Sequence, residues 1–342
     1  MGGADLNKRA RTGPEVTGRA KIQTFQLLPS LFAAPDVQVF RAFPDLASDH
    51  VALTIGNFDG VHRGHQAMLT RLIEAAEDLA LPSAALIFDP PPREFFAREA
   101  APPRLSSMRD KLEQFGAHDV ARVHIARFNA ALASLSGEEF IERILVQKLG
   151  VRWVLVGDDF RFGRGRGGNL ATLRAAAKQF SVEEMGTVSV GGERVSSTAV
   201  RNALAAGELE HAARLLGRPY AISGHVAHGD KRGKSLGFPT ANIALWHKPA
   251  LTGIFAVRVR GLGHAPRAAV ASLGVRPTVK ADAEPLLEVF VFDFNEAIYG
   301  RRVSVEFLHK LRDEERYPDV DALTRQIHAD VAQAREYFAA HR

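Results

Sequence analysis

VALTIGNFDGVHRGH, at residues 51–65, is the stretch of sequence that decides the fold of this chain. Its apolar start, Val51–Ile55, is short and β-branched enough to predict a buried strand. Gly56 ends that strand, and a turn over residues 58–60 follows it. Residues 66–80 then carry apolar side chains at helical spacing. The stretch therefore predicts a strand, a glycine turn and a helix.

Two histidines, His62 and His65, stand where the turn leads into the helix. A helix that begins after a parallel strand presents unpaired backbone N–H groups and the positive end of its dipole, and this combination binds phosphate. Side chains three residues apart share one helix face. We therefore expect both imidazoles to face one anion and to stabilise the charge on a leaving pyrophosphate. The alternative is a pair of histidines at a helix start that bind no ligand.

The residues around the histidines are similar to those of a known family. The spacing H-x-G-H resembles the site of the nucleotidylyltransferase superfamily, and the longer string GNFDGVHRGH resembles the bacterial bifunctional riboflavin kinases/FAD synthetases. The resemblance covers about residues 37–342, through ordered motifs in both halves. It implies that both histidines are catalytic and that the residues before them bind ATP: Gly56, Asn57, Phe58 and Asp59.

The composition excludes several classes of protein. The 342 residues are 46% hydrophobic and 24% charged, which is typical of a globular protein with room for two domains. A net charge of +5 suits polyphosphate ligands, although charge alone does not exclude RNA. The absence of cysteine excludes disulfides, thiolate metal sites and cysteine nucleophiles. There is no apolar run of ~18–20 residues and no secretory signal, so we expect a cytoplasmic protein without a membrane partner.

Changes in the pattern of predicted strands and helices divide the chain into four parts. Residues 37–206 alternate strand and helix patterns, which predicts a parallel sheet. Residues 207–218 predict a short linker helix, and residues 219–342 predict an all-β barrel or sandwich with a terminal helix. Residues 1–36 predict a mostly disordered extension, with a docking helix over residues 22–32 as the alternative. The resemblance implies a Rossmann-like α/β nucleotidylyltransferase domain followed by an antiparallel β-barrel of the riboflavin kinase type.

Residues 157–168, GDDFRFGRGRGG, admit three interpretations. Their glycines spell G-x-G-x-x-G, as in a dinucleotide-dependent oxidoreductase, but this unit comes late, whereas that fingerprint opens the first β/α unit. A basic surface loop is the second interpretation. The third is the resemblance to the family string G-x-D-F-x-F-G, which implies that Asp159 and Arg161 lie near the nucleotide.

A second anion site is predicted at residues 195–204, VSSTAVRNAL. Ser197 or Thr198 is predicted to cap the helix that follows, and Arg201 lies one turn further on. By itself this pattern is only a helix cap. Its resemblance to the family string I-S-S-T-x-V-R-x-x-L implies that these side chains bind the triphosphate opposite the histidine pair.

The second half carries a glycine- and lysine-rich loop at residues 229–242, GDKRGKSLGFPTAN. Its glycine spacing does not fit a Walker A loop, but such a loop still suits phosphate. It resembles the riboflavin kinase loop, which implies a set of ATP-binding residues: Gly229, Lys231, Gly233, Lys234 and Gly237. Thr240 and Asn242 share one face of the extended segment and could complete a Mg²⁺ shell with phosphates and water. The alternative is a polar turn before a strand.

Glu288 alternates with phenylalanines in the predicted strand 287–294. A carboxylate on an apolar strand face is costly to bury, and taking a proton from a primary hydroxyl would justify its position. The alternative is an edge-strand glutamate that faces water. The family has a glutamate in the corresponding motif. Arg276 and Pro277 match a family loop beside the flavin.

Two positions depart from the family pattern. Pro91 lies in the loop FDPPPREFF, at residues 88–96, where the family often has T-F-x-P-x-P, and we assign it no role. Lys234 stands where arginine is common, which keeps the charge but loses the planar bidentate fork.

The resemblance implies two reactions. Riboflavin would be phosphorylated to FMN with ATP and Mg²⁺ in the second half, and FMN would be adenylylated to FAD, with release of pyrophosphate, in the first half. The expected partners are these small molecules and not nucleic acid, and the sequence leaves the oligomeric state open. The alternative is a superfamily member that acts on another substrate such as tRNA, but the chain lacks room for an anticodon domain and lacks basic runs with interleaved aromatic residues.

Overall fold

The computed structural model describes residues 22–24, 37–228, 237–245, 247–275 and 285–341 of the chain, with residues 22–24 and 275 described through their backbone only. Within these residues the chain forms a seven-stranded sheet, a two-stranded hairpin and a closed six-stranded barrel. Several predicted site residues lie outside the described ranges: Gly229, Lys231, Gly233, Lys234, Arg276 and Pro277.

The first half is an α/β domain around a parallel sheet. Its strands are β1 (Ile22–Thr24), β2 (Gln38–Phe40), β3 (Val51–Ile55), β4 (Ser83–Asp89), β5 (Arg122–Arg127), β6 (Val151–Gly157) and β7 (Ser181–Met185). The hairpin strands are β8 (Ser189–Val190) and β9 (Glu193–Arg194). The helices are α1 (Arg63–Asp78), α2 (Pro92–Phe96), α3 (Met108–Ala117), α4 (Ala130–Ser134), α5 (Gly137–Glu139, continued as a π-helical segment over Phe140–Lys148), α6 (Leu170–Ala176), α7 (Ser197–Ala205) and α8 (Leu209–Leu216). This alternation confirms the predicted parallel sheet.

The strand order places β3 at the point where the chain changes direction across the sheet. The order is β1-β2-β5-β4-β3-β6-β7, with β2 to β7 parallel and β1 antiparallel to β2. From β3 the chain builds outward through β4 and β5, and then returns to add β6 on the other side of β3. In open α/β sheets ligands bind outside the carboxyl ends of the strands at such a switch point. The turn after β3 therefore lies where a ligand site is expected.

The segment before residue 37 is described only at its β1 backbone. Ile22–Thr24 pairs antiparallel with Gln38–Phe40 at the edge of the sheet. An edge strand needs only backbone partners, so three residues suffice to extend the sheet.

The second half is a closed antiparallel barrel, which decides between the barrel and the sandwich that the sequence allowed. Its order is β10-β11-β14-β13-β12-β15. The strands are β10 (Tyr220–Ala227), β11 (Ala241–Ala244), β12 (Gly253–Arg260), β13 (Arg267–Val275), β14 (Pro285–Val291) and β15 (Arg302–Arg312), followed by the terminal helix α9 (Val320–Ala340). The sequence pattern does not predict β11, because four residues are too few to establish an alternation. No helix within the described ranges is long and apolar enough to span a bilayer.

One apolar cluster joins the two halves. It contains Leu105 from the first domain, buried residues of α7 and α8, and the inward side chains of the barrel. Leu215 and Leu216 at the end of α8 are 1% and 2% exposed. Burying one such leucine stabilises a fold by about 1.5–3 kcal/mol, so α8 is packed as core structure between the domains.

An ion pair anchors α9 to the barrel. The carboxylate of Asp330 is 4% exposed and accepts bonds from Nε and Nη2 of Arg312, at 2.8 and 2.7 Å. Gln326 donates to the same carboxylate at 3.0 Å. Such a bidentate pair fixes geometry as well as charge.

We expect Asp330→Ala to lower the stability of the barrel by about 3 kcal/mol, because it leaves the Arg312 guanidinium without its partner in a partly buried place. The loss is measured as a shift of the urea unfolding midpoint. The matched control is Asp293→Ala, which breaks the exposed pair with Arg335 and should cost less than about 1 kcal/mol. Equal losses in the two variants would contradict an anchoring role for Asp330.

Candidate functional site

The turn between β3 and α1 has an unfavourable backbone. Phe58 and Val61 have φ values of 47° and 40°, in the left-handed region that side chains other than glycine rarely adopt. Each such residue costs roughly 1–3 kcal/mol and persists only where its surroundings impose the conformation. The Phe58 ring is fully buried and lies 5.2 Å from the ring of Phe115 and 4.9 Å from that of His65. Packing beneath the turn therefore supplies part of the compensation.

Hydrogen bonds to the carbonyl oxygens of the turn supply the rest. Side chains from four directions donate to them: Lys111 Nζ to Asn57 O at 2.9 Å, Ser197 Oγ to Asp59 O at 2.9 Å, Arg218 Nη2 to Gly60 O at 2.7 Å, Gln66 Nε2 to Val61 O at 2.9 Å, and Arg218 Nη1 to Val61 O at 3.1 Å. A hydrogen bond from a charged donor contributes about 1.5–3 kcal/mol. The donors come from α3, α7, the segment after α8, and α1 itself, so the turn is held by elements far apart in the sequence.

The two imidazoles lie together at the start of α1. His62 is the N-cap, and its Nδ1 accepts the backbone N–H of His65 at 3.3 Å. The rings stack with centroids 3.7 Å apart and planes 15° apart. Because Nδ1 of His62 is an acceptor, the proton of its neutral ring is on Nε2. This confirms that both side chains share one face at the helix start.

The environment of both rings favours their neutral form. Burial lowers the pKa of His62 to about 4, and burial together with the neighbouring His62 ring lowers the pKa of His65 well below its ordinary value. Nδ1 of His65 is buried without a hydrogen-bond partner among the described residues. The site can therefore offer imidazole N–H donors to an anion without holding fixed positive charge on the rings.

Asp59 and Arg201 are bonded to each other. Asp59 is 8% exposed and accepts Nη2 of Arg201 at 2.5 Å, together with the backbone N–H groups of Leu105 and Ser106 at 3.1 and 3.2 Å. Nε of Arg201 donates to Pro103 O at 2.7 Å. The sequence predicts Asp59 and Arg201 as two separate groups that bind ATP. In the fold they form one buried ion pair that joins the turn to α7.

The start of α7 differs from the prediction by one residue. Ser196 is the N-cap, and its hydroxyl accepts the N–H of Ala199 at 3.1 Å, so the prediction of Ser197 or Thr198 as the cap is wrong. Three hydroxyls in a row cannot be ranked from sequence, and the extended backbone of Ser196 decides between them. Ser197 is instead the first helical residue and bonds to the turn, while Thr198 is exposed.

Asp159 and Arg161 lie at the surface after β6. Asp159 approaches Arg194 at 3.4 Å, and Nη1 of Arg161 donates to the neighbouring Phe160 O at 2.9 Å. Both side chains are exposed, and in the described part of the chain no hydrogen bond or ion pair links them to the imidazole pair. The strand β6 nevertheless lies beside β3, so they occupy the same edge of the sheet.

Close packing accounts for two glycines of the G-x-G-x-x-G string. Gly163 has φ 71°, and a Cβ there would lie 2.8 Å from the backbone N of Gly137. A Cβ on Gly168 would meet the Phe162 ring at 2.8 Å. Contacts within the fold thus explain both glycines. They are therefore no longer evidence for a dinucleotide-binding loop.

A second constellation lies on the outer face of the barrel. Asn242 of β11 and Ser272 of β13 are the register partners of Glu288 on either side of β14. Leu287 and Val289, its chain neighbours, are buried in the barrel, so Glu288 points outward. Because β14 lies between two paired strands, the alternative of an edge-strand glutamate is excluded.

The oxygen of the Asn242 side chain has an unusual environment. Oδ1 is buried without a hydrogen-bond partner among the described residues, while Nδ2 donates to Thr240 O at 3.3 Å. A buried polar atom without a partner is costly. An amide oxygen in such a place suits a hard cation. Gly237, the one glycine of the preceding loop within the described ranges, has φ 86° and is exposed.

A second carboxylate, which the sequence does not predict, stands beside this row. A Cβ on Gly274 would collide with the carboxylate oxygens of Glu314, so that carboxylate occupies the space of the missing side chain. Burial raises the pKa of Glu314, and the nearby charge of Glu288 adds to this, while the charge of Arg312 and a hydrogen bond from Ser272 partly offset the shift. Glu314 comes from the segment after β15, and no local pattern links it to Gly274.

Two cationic side chains of the first site, Lys111 and Arg218, are not predicted from the sequence. Lys111 is 4% exposed, and burial lowers its pKa. A signal for it exists, because Lys111 interrupts the apolar face that Met108 and Phe115 form at helical spacing in α3. Arg218 gives no such signal, since it follows α8 in an irregular segment.

Comparisons with known proteins follow the same division of the chain. The family model described as FAD synthetase matches residues 45–199, and the one described as riboflavin kinase matches residues 216–338. A Pseudomonas fluorescens protein named bifunctional riboflavin kinase/FMN adenylyltransferase is 48% identical over 90% of this chain and 100% of its own length. Proteins of the same name from Haemophilus influenzae and Escherichia coli K12 are 46% and 45% identical, over 84% of this chain and 94% and 92% of their own lengths.

A solved structure is similar over both halves. It is described as a macrolide-efflux protein from Streptococcus pneumoniae, with a TM-score of 0.71, 29% sequence identity, and coverage of 85% of this chain and 96% of that chain. Two domains in this arrangement are therefore found in another solved protein.

The low pKa values of the imidazoles predict a pH dependence of stability. Between pH ~6.5 and ~4 the unfolded chain binds protons that the folded site does not, so the free energy of unfolding should fall on acidification. One unit of pKa difference corresponds to about 1.4 kcal/mol. We expect the variant His62→Gln plus His65→Gln to lose less stability than the parent between pH about 7 and about 5 in urea titrations. Parallel losses in the two proteins would contradict neutral burial of these rings.

Proposed function

This chain belongs to the bacterial family of bifunctional riboflavin kinase/FMN adenylyltransferases, and from that premise we propose which residues serve each reaction. The enzyme phosphorylates riboflavin with ATP to give FMN, and it transfers AMP from ATP to FMN to give FAD and pyrophosphate. The observation that carries our assignment is that the stacked imidazoles and the Asn242–Glu288–Ser272 row lie in different domains. Each reaction is given the constellation in the matching half.

The proposed boundaries follow the elements. Residues 37–206 end with α7 and form the adenylyltransferase domain, residues 207–218 contain α8, and residues 219–342 contain the barrel and α9. Residues 1–36 are proposed to be an extension, of which Ile22–Thr24 adds a strand to the edge of the adenylyltransferase sheet.

In adenylyl transfer the nucleophile is the phosphate of FMN, which is already ionised, so the enzyme needs no general base. Catalysis then depends on orientation and on neutralising the charge of the leaving pyrophosphate. We assign that task to Nε2–H of His62, to His65 and to the N–H groups that begin α1. The neutral state of the rings suits hydrogen-bond donation, because a permanently charged imidazolium would cost more free energy to remove from water.

We assign the other side of the triphosphate to the start of α7. The bond from Ser197 to Asp59 O and the Asp59–Arg201 pair hold α7 next to the turn. Thr198 is exposed at this helix start, where its hydroxyl can reach a ligand. Further contacts to the nucleotide are assigned to residues of the turn and of the loop after β6: Gly56, Asn57, Asp159 and Arg161. Phe58, predicted with them, is fully buried and is assigned a supporting role beneath the turn.

In the kinase reaction the nucleophile is an alcohol, so a base is useful. We assign this role to Glu288, which would accept the proton of the ribityl hydroxyl as its oxygen attacks the γ-phosphate. Thr240 and Asn242 are the proposed ligands of Mg²⁺, and the Asn242 oxygen without a partner supports this fit. Bound Mg²⁺ would neutralise phosphate charge. The described ranges contain no group of three or more His, Cys, Asp or Glu side chains that could hold a metal, so the remaining ligands would be phosphate and water.

The residues outside the described ranges complete this proposal as predictions. The glycine- and lysine-rich loop at residues 229–237 is assigned to the ATP phosphates of the kinase, and Arg276 with Pro277 to the flavin. A tRNA substrate is disfavoured because the second half belongs to a riboflavin kinase family rather than to a nucleic-acid-binding one.

The direct test is to incubate the full chain with riboflavin, Mg²⁺ and ATP and to separate FMN from FAD by chromatography. We expect FMN to appear first and FAD to follow. With FMN supplied in place of riboflavin, FAD should form at once. Absence of both products would contradict the function, and FMN without FAD would contradict the assignment of the first domain.

The imidazole pair has its own test. His62→Ala plus His65→Ala should lower FAD formation from FMN by at least about 100-fold, because donors to the leaving group are lost, and should spare FMN formation from riboflavin. A matched control is His50→Ala, which removes a histidine at the opposite end of β3. FAD formation at the parent rate in the double variant would show that the assignment is wrong.

Glu288→Gln separates the activities in the opposite direction. It keeps the size of the side chain but removes the base, so riboflavin phosphorylation should fall by about 10²–10⁴-fold while supplied FMN is adenylylated normally. Glu306→Gln, on another barrel strand, is the control and should keep both activities. If Glu288→Gln abolishes both reactions together, the residue supports folding or a shared site instead.

A further inference from the structure

Arg218 connects the segment between the domains to the turn after β3. It lies between the end of α8, where Gly217 has φ 76°, and the first barrel strand, which begins at Tyr220. Its guanidinium points back into the first domain. Nη2 donates to Gly60 O at 2.7 Å, and Nη1 donates to Val61 O at 3.1 Å and to Leu216 O at 3.2 Å. The Arg218 side chain is thus hydrogen-bonded both to the turn after β3 and to the end of α8.

The environment of this guanidinium is unusual for a cation. It is partly buried, and burial lowers the pKa of Arg218 to about 10. In the described part of the chain no carboxylate lies within ion-pair distance of it, and its donors are used on backbone carbonyls. Removing a charge from water is costly unless other groups compensate. The compensation comes from two consecutive carbonyls of a turn that is itself held in an unfavourable conformation.

The linker and α1 are also bonded in the reverse direction. Gln66 Nε2 donates to Leu216 O at 2.7 Å, and Arg63 Nε donates to Arg214 O at 3.0 Å. Carbonyls that end α8 are therefore satisfied by side chains of α1. The first turn of α1 and the linker form one hydrogen-bonded unit.

We propose that Arg218 is a positioning residue for adenylyl transfer, supplied by the segment that leads into the kinase barrel. It fixes the carbonyls of Gly60 and Val61, and through them the peptide that carries His62 at the N-cap of α1. This inference rests on the function proposed above for the imidazole pair. The adenylyltransferase site is then complete only when Arg218, from the segment between α8 and β10, is in place.

The physical reason is the conformation of Val61. Its φ of 40° is held against a preference for other backbone regions. Without Arg218, Gly60 O loses its side-chain donor and Val61 O keeps only the bond from Gln66. The peptide between Val61 and His62 is then less restrained, and the imidazole donors move from their positions. A displacement of about 1 Å in a positioned group can cost about 100-fold in rate.

A second arginine between the domains serves as the control. Arg302, at the start of β15, pairs with Asp110 at 3.1 Å and Glu113 at 2.7 Å on α3. It joins the barrel to the first domain as Arg218 does, but none of its bonds reaches the turn. Comparing the two arginines separates docking of the domains from positioning of the histidines.

The experiment compares Arg218→Met, Arg218→Lys and Arg302→Met in the full chain, with kcat and KM measured separately for FMN adenylylation and for riboflavin phosphorylation. We expect Arg218→Met to lower kcat of adenylylation by about 10- to 100-fold, with a smaller change in KM. The kinase reaction, measured well below the thermal midpoint of each variant, should stay near the parent value. Arg218→Lys should be intermediate, since an ammonium keeps the charge but cannot bridge two carbonyls as a planar fork does. Arg302→Met should behave like the parent in adenylylation.

Three results would overturn the proposal. They are a parent-like kcat for adenylylation in Arg218→Met, an equal loss in Arg302→Met, and a joint fall of both activities with the thermal midpoint. If Arg218→Met does not fold, Arg218→Lys decides: reduced adenylylation with intact kinase activity supports the proposal, and parent-like adenylylation refutes it. A parent protein that makes no FAD from FMN would instead refute the proposed function itself, so the two failures are distinguishable.

Discussion

The first domain depends on hydrogen bonds that hold the carbonyl oxygens of one strained turn. A buried strand must end and a helix must begin within seven residues, between Ile55 and Arg63, and the chain makes this reversal by placing two bulky residues at positive φ. Donors from α3, α7, the linker and α1 bind the carbonyl oxygens of the turn, and the buried Phe58 ring fills the space beneath. The switch point of the sheet, the cap of α1 and the linker to the barrel all meet at this turn.

The two proposed sites differ in the way that the chemistry of their nucleophiles would require. A phosphate nucleophile carries its charge already, and the site in the first domain offers neutral imidazoles and helix N–H groups instead of a base. An alcohol must lose a proton, and the row on the barrel contains a carboxylate between Asn242 and Ser272. The lowered pKa values of the histidines and the raised pKa of Glu314 both arise mainly from burial, which disfavours the charged form of either kind of group.

The domains are joined by more than a flexible connection. The apolar cluster runs from α7 and α8 into the barrel, and Arg302 adds ion pairs to α3. Polar bonds then connect the linker to α1 on one side and to the turn on the other. Since interfaces between domains often move, this combination of apolar packing and directed hydrogen bonds is what gives the linker a fixed geometry.

The sequence by itself determined the local elements and the side chains that belong to them. Apolar periodicity predicted β3, the longer helices of the sheet domain and the strands of the barrel other than β11, and short spacing predicted the shared face of His62 and His65. Only the tertiary structure decided which distant residues meet. The pairs are Asp59 with Arg201, Lys111 with Asn57, Glu314 with Gly274, and Arg218 with Gly60. Arg218 and Gly60 are 158 positions apart in the sequence. The reason is physical, because periodicity reports which side of an element is buried, while a hydrogen bond between distant segments depends on how the elements pack and leaves no repeat in the sequence.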